Sequence, residues 1–353
     1  MWNKNPLTEA LGIEYPIVQG PFGGGLSSTK LTSIVSNAGG LGSYGAESSS
    51  GNEIKKLVAE IKSLTSKPFA VNLWIPKETV PPLSDAEYED SIARIDNYRS
   101  DVAIERPRRP KKFGQVFEEQ LDALLAARPP VFSFVYGVPD NEVLRTCRRL
   151  GIRTIGTATT PDEAQILDGA GVDAIVASGF EAGGHKGSFL LPPEECLIGT
   201  FALVPQIADR VGTPVIAAGG IADVRGLKAA LALGADGVQI GTAFLACEES
   251  NAREVHRDTL FLDPIRSRTV LTKAFTGRLA RSIPNRLYAY LKPVESRLPP
   301  YPIQSWMTGT LKNAEPSEEA FDFGSLWTGQ AAPLIRKHFA KEFFDGLVKG
   351  MSK

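Results

Sequence analysis

Eight times along its 353 residues the chain repeats one pattern: a short apolar run rich in β-favouring residues, then a stretch with helical periodicity. The runs are YPIVQGP (15–21), LGSYGA (41–46), PFAVNLWIP (68–76), PVFSFVYG (130–137), RTIGTAT (153–159), DAIVASGF (173–180), PVIAAGG (214–220) and GVQIGTAFLA (237–246). Helical stretches follow near 29–38 and 194–211 and in NEIKKLVAEIKSL, FEEQLDALLAA, NEVLRTCRRLG, PDEAQILDGAG and DVRGLKAALALGA. Strands apolar on both faces belong in a buried parallel sheet. Eight in succession favour closure into a (β/α)8 TIM barrel over an open doubly wound sheet.

Two segments break the rhythm and set the expected domain plan, an α/β barrel with a smaller helical second domain inserted after the eighth strand. The barrel takes residues 1–247 and 323–353, with 77–112 as an insertion that is acidic and Pro-rich first and basic later. Residues 248–322, interrupted by Pro264, Pro284, Pro293, Pro299, Pro300 and Pro302, form a helical lid or substrate subdomain. The tail, FGSLWTGQAAPLIRKHFAKEFFDGLVKG, reads as a capped amphipathic helix returning to the barrel.

The bulk properties exclude several classes. A formal net charge of −1 gives no reason to expect a nucleic-acid partner. No apolar run approaches the ~20 residues of a membrane span, and MWNKNPLTEALG lacks the charged-then-apolar order of a secretory signal. Cys147, Cys196 and Cys247 are odd in number and far apart, which favours reduced thiols and neither a disulfide framework nor a metal site. A cytoplasmic enzyme follows, with a homodimer left open as its assembly.

GLGSYG (40–45) satisfies G-x-G-x-x-G, but a helix precedes it and its glycines fall in or beside the second strand. A dinucleotide fingerprint needs the reverse order, so a tight helix-to-strand turn is the better account. In barrels, phosphate commonly binds the loops after the seventh and eighth strands. Here these loops are AAGGIAD, with Gly219 and Gly220, and QIGTAF, with Gly241 and Thr242. Backbone N–H groups, a hydroxyl and a helix start make an anion site there without basic side chains.

The first strand ends in QGPFGGGLS (19–27), where Gly20 and the glycines at 23–25, around Pro21 and Phe22, let a planar ring rest on backbone. Asn72 in NLW offers a donor and an acceptor to an imide-like ring edge, or equally to a buried loop. His185, one of three histidines, stands among Gly183, Gly184 and Gly187 in SGFEAGGHKGSF (178–189), with little around it to pack against. An imidazole there can give or take a proton beside a bound ring. His256 and His338 lie in charged, helical-looking surroundings and read as solvated. Residues 266–286 carry six basic and no acidic side chains, either a solvated helix face or an electropositive cover drawing a small anion inward.

Taken together, PIVQGPF, NLW, SFVYGVP, GTATTPDEAQ, GVDAIVASGFEAGGHKGSF, PVIAAGGIAD, GADGVQIGTAFL and the late YPIQ and SLWTGQAA resemble the nitronate monooxygenase family, formerly called 2-nitropropane dioxygenases, in order and spacing over most of the chain. The resemblance implies an FMN-binding TIM barrel with a helical second domain. It assigns FMN contacts to Asn72, Gly183, Gly220, Gln239, Ile240, Gly241 and Thr242, and matches His185 to the family's active-site histidine. Gly20, Pro21, Phe22, Ser178, Gly184 and Gly219 complete the expected cofactor site, and no metal is expected. Two positions depart from the family pattern. Ser178 stands where a Gln is common, so a longer amide contact to the flavin is lost or replaced by water, and Phe22 stands where Met is frequent, reshaping the wall beside the ring. The implied activity is FMN-dependent oxidative denitrification of alkyl nitronates, and of nitroalkanes if His185 removes their α-proton, with O2, to a carbonyl compound and nitrite. The alternative is an FMN-dependent NAD(P)H reductase of the enoyl-carrier-protein or quinone reductase type.

Overall fold

The computed structural model of the chain describes residues 2–76, 83–101, 104–262, 268–313, 324–336 and 338–352. Parts of the two segments that break the rhythm (77–82 and 102–103; 263–267 and 314–322), with Pro264, Arg266 and Ser267, lie outside the described residues, as do 323 and 337 in the tail.

A helix, α1 (Pro6–Leu11), precedes the first strand, β1 (Ile17–Gln19). The alternation then runs α2 (Thr29–Asn37), β2 (Gly42–Gly45), α3 (Gly51–Leu64) and β3 (Phe69–Trp74). After α4 (Asp85–Asp101) and α5 (Phe117–Ala127) come β4 (Val131–Val135), α6 (Asn141–Arg149), β5 (Arg153–Ala158), α7 (Pro161–Ala170) and β6 (Ala174–Ser178). A two-residue strand, β7 (Gly184–His185), leaves the rhythm before α8 (Thr200–Ala208), β8 (Val215–Ala218), α9 (Val224–Ala232) and β9 (Gly237–Ile240) restore it. The eight strands other than β7 pair in parallel in the order β1-β9-β8-β6-β5-β4-β3-β2. The ends of that order meet, because the Gln19 amide donates to Leu41 O at 2.9 Å and the Leu41 amide to Ile17 O at 3.0 Å. The sheet is a barrel.

Both faces of its strands are buried, for two separate reasons. Val18, Leu41, Ala70, Val131, Ile155, Val176 and Ile216 point inward and meet Leu7 and Leu11 of α1, which plugs the N-terminal end. Their neighbours Ile17, Val71, Phe132, Ile175 and Val238 point outward under the ring of helices. This alternation is the period of two that a strand imposes. The GLGSYG glycines serve close packing. A Cβ on Gly42 would lie 1.9 Å from Thr32 O of α2, and one on Gly45 would lie 2.4 Å from Phe22 O. The helix-to-strand account holds, and both glycines keep backbone against backbone.

Beyond β9 the chain continues through α10 (Thr242–Leu245), α11 (Glu254–Thr259), β10 (Val270–Thr272), β11 (Ala280–Ile283), α12 (Arg286–Leu291), α13 (Ile303–Gly309), β12 (Leu326–Trp327) and α14 (Ala340–Met351). β11 pairs antiparallel with β10, β12 and β7, so a small second sheet joins the loop after β6 to the segment beyond the barrel. Tyr88, Ile92, Ile95 and Tyr98 of α4 share a separate core with Phe275, Leu287, Leu291, Ile303 and Met307.

Three local expectations change. The basic run is not one helix face: its described part forms the β10–β11 hairpin, and Arg281 is only 2% exposed. His256 is not solvated. It is 2% exposed, with Nε2 3.2 Å from Trp327 O, because the helix carrying it turns that face inward. In the tail the α-helix is Ala340–Met351, behind a short 3-10 helix at Ala332–Leu334, and no side chain of its own caps it. The Ala340 amide donates instead to Glu249 Oε2 at 3.0 Å.

Candidate functional site

The site lies where the strands end. One cavity of about 310 Å³ opens at the C-terminal rim of the barrel. Gly20, Pro21, Phe22, Asn72, Ser178, Gly183, Gly184, His185, Gly219, Gly220, Gln239, Gly241 and Thr242 all line it. Ile240 does not. Strand alternation sends Gln239 toward the cavity and Ile240 into the core, where its carbonyl accepts from the Gly20 amide at 2.9 Å.

Each wall has a local cause. The loop after β1 is pinned by Ser27, whose Oγ accepts from the Phe22 and Gly45 amides at 3.0 and 2.9 Å and donates to Phe22 O at 3.0 Å. Asn72 Nδ2 donates to Ser133 Oγ on the next strand at 3.0 Å, fixing the amide with its Oδ1 as the remaining acceptor. Gly219 and Gly220 have φ of +103° and +73°, and a Cβ on Gly219 would sit 3.0 Å from the Ala182 amide nitrogen. Asp223 closes the first turn of α9 by accepting from the Arg225 and Gly226 amides at 2.9 and 3.4 Å. The start of α10 has no side-chain cap, and Thr242 Oγ1 there accepts from the Gly329 amide at 2.9 Å.

Aromatic side chains enclose His185. Its ring centroid lies 5.1 Å from Trp74, 5.1 Å from Trp327 and 6.1 Å from Tyr301. Nε2 lies 2.9 Å from Thr276 Oγ1, whose hydroxyl donates to Arg278 O at 3.1 Å. The Arg278 guanidinium stacks over Tyr136 at 4.1 Å and Tyr301 at 4.8 Å. Burial pushes the Tyr136 phenol up to about 12 against the opposing Arg278 charge, and burial raises Tyr301 as well. Both phenols are therefore protonated donors at neutral pH.

Behind His185 sits Lys186, 5% exposed, its Nζ donating to Phe180 O at 3.1 Å and Ala182 O at 2.6 Å. Arg281 donates to the same Phe180 O from Nε and Nη2 at 3.2 and 2.9 Å. Burial, then the Arg281 charge, brings the Lys186 ammonium down to about 7, with Glu181 opposing. Glu181 itself accepts from the Thr200 amide at 2.9 Å and so caps α8.

Motif reading missed Thr276 and Arg278, which arrive from 91 or more residues beyond His185, and underrated Trp74, Tyr136, Tyr301 and Trp327 inside motifs it did quote. Tyr136 holds φ +76°, rare for a non-glycine residue, directly before Gly137.

The nitronate monooxygenase family model matches residues 4–350. A probable nitronate monooxygenase of Staphylococcus aureus (strain MRSA252) is 39% identical over 354 residues, covering 100% of this chain and 99% of that protein. Among solved structures, nitroalkane oxidase from Streptomyces ansochromogenes superposes with a TM-score of 0.89 at 36% identity, covering 99% of this chain and 98% of the other. FabK from Thermotoga maritima follows at 0.76 and 29%, covering 99% and 96%.

Proposed function

Since the chain belongs to the nitronate monooxygenase family and is an oxidoreductase of nitro compounds, we propose that it converts alkyl nitronates, with FMN and O2, to carbonyl compounds and nitrite. The observation that carries this reading is the convergence of glycine backbone, Asn72 and His185 on one cavity at the strand ends.

The residues present fit a flavin mononucleotide. Gly20, Gly183, Gly219, Gly220 and Gly241 all line the cavity, so these parts of its wall are backbone without side chains, as a flat ligand requires. Asn72 Oδ1 suits an imide N–H, and the loops carrying Gly219, Gly220, Gly241 and Thr242 suit a phosphate. When bound, the flavin supplies the redox capacity that no side chain here has. Trp74, Tyr301 and Trp327 keep water from the region of His185. For a nitronate, His185 balances and orients the negative charge. For a nitroalkane it takes the α-proton. Among the described residues no helix is long and apolar enough to cross a membrane, and a cytoplasmic location is part of the same proposal.

The test is a purified, yellow protein whose released chromophore has the mass of FMN and which consumes oxygen with an alkyl nitronate. Removing the base from His185→Asn is expected to cut nitroalkane turnover by about 10²-fold or more and nitronate turnover much less. Equal losses contradict the proton-transfer role. Rapid anaerobic bleaching by NADPH, without nitronate turnover, moves the chain to the reductase reading.

A further inference from the structure

We propose that Lys186 and Arg281 are positioning residues for the cofactor: their cations, gathered on the carbonyl oxygens of Phe180 and Ala182, aim the N–H groups of Glu181 and Gly183 into the cavity. The inference rests on the FMN reading above and extends it to two side chains that do not line the cavity.

Backbone hydrogen bonds hold the loop after β6. The Gly179 amide donates to Ala218 O at 2.8 Å, Phe180 to Ile198 O at 2.7 Å and Ala182 to Gly179 O at 3.1 Å. Glu181 O accepts from the Gln330 amide at 3.0 Å. The carbonyls of Phe180 and Ala182 take the two buried cations. That leaves the N–H groups of Glu181 and Gly183, which have no acceptor among the described residues, in a stretch that lines the cavity. A trans peptide holds its C=O and N–H in one plane, pointing in opposite directions. Fixing O of 180 and O of 182 toward Nζ therefore turns N–H of 181 and of 183 the other way. A cation on the carbonyl also polarises the peptide and strengthens its N–H as a donor.

Burial of two like charges together is costly unless they do something there. Lys186 follows His185 in the β7–β11 pairing, with Arg281 opposite Gly184, so one short ladder holds the catalytic imidazole, the lysine and the arginine. The charged groups facing Lys186 are Arg281 on β11 and Glu181 in the loop. The ammonium prevails below about pH 7 and is lost above it. A neutral amine keeps hydrogens to donate but not the charge, so the grip on flavin weakens as pH rises through that point. Global stability responds with the opposite sign. A lysine pKa of about 7 when folded, below its unfolded value, means that the unfolded state binds more protons in between, and this group's contribution to stability rises with pH there. A merely structural lysine yields only the second trend.

The experiment dilutes FMN-loaded wild type, Lys186→Arg and Lys186→Met and reads the fluorescence of released flavin across roughly pH 6 to pH 9. Wild type is expected to lose about tenfold in FMN affinity over that range beyond any change in Lys186→Arg, whose charge persists throughout. Lys186→Met is expected to bind weakly at every pH; if it fails to fold, the comparison of wild type with Lys186→Arg decides. Parallel slopes for those two overturn the inference while leaving the cofactor reading intact. Wild type that takes up no FMN overturns both.

Discussion

Thr276 shows how one hydroxyl fixes an imidazole. In the tautomer that carries a proton on Nε2, Oγ1 accepts it at 2.9 Å while its own hydroxyl donates to Arg278 O at 3.1 Å. Thr276→Val removes that acceptor and is expected to lower kcat/KM for nitroalkanes about tenfold, with Thr276→Ser restoring it. Steady-state kinetics on nitroalkane and nitronate side by side check this, and an unchanged nitroalkane value sinks it. At this scale the legible residues were those inside short local patterns: His185 among its glycines, Gly219 and Gly220 after β8, and Gly241 and Thr242 after β9. Thr276 was not legible, since a threonine in a basic run has no signature until the fold brings it 91 residues back. Ile240 was legible too, but its side chain does not line the cavity. The alternation along β9 that makes Gln239 a wall residue sends its neighbour to the core. His256 was misread because its charged neighbours hide the helix face that turns inward to Trp327.

At the scale of elements, periodicity identified the eight barrel strands, because a strand buried on both faces is apolar throughout. It failed at the β10–β11 hairpin. The six basic side chains of the run masked its strand residues, and Arg281 only makes sense beside Phe180 O, from a segment it meets across 101 residues. The contact between the loop after β6 and the residues after β12 gives a sharp prediction. A Cβ at Gly183 would lie 2.6 Å from Gly329 N and 2.7 Å from Thr328 C, both backbone, so the loop or the small sheet must move. Gly183→Ala is expected to cost about 1–3 kcal/mol and to weaken FMN retention by about tenfold or more. Gly212→Ala, with open space around it, is the control and should change neither. Thermal unfolding and flavin release read both, and a Gly183→Ala protein that keeps its flavin and its midpoint refutes the close-approach argument.

At the scale of the molecule, the cavity is made by two packing units. The barrel supplies its floor, whereas Tyr301 and Thr276 adjoin Phe275 and Ile303 of the second core, and Trp327 packs against that core from β12. The sequence marked 77–112 only as an insertion, and the stripe Tyr88, Ile92, Ile95 and Tyr98 within it went unread, because such a stripe specifies burial without naming the partner. The structure sets it against α12 and α13, so the insertion and the segment after β9 brace each other. The smaller core has less apolar surface to lose and is expected to yield first. Leu291→Ala, at a fully buried position, removes about 2–5 kcal/mol from that unit. In urea, the tryptophan fluorescence midpoint, to which Trp74, Trp306 and Trp327 report from that end, should fall well below the far-UV circular dichroism midpoint set by the barrel helices. Nitronate-dependent oxygen uptake should vanish with the fluorescence change, since the wall around His185 goes with it. If both midpoints instead move down together and activity follows the barrel signal, the two cores are one cooperative unit and the aromatic wall is as durable as the floor.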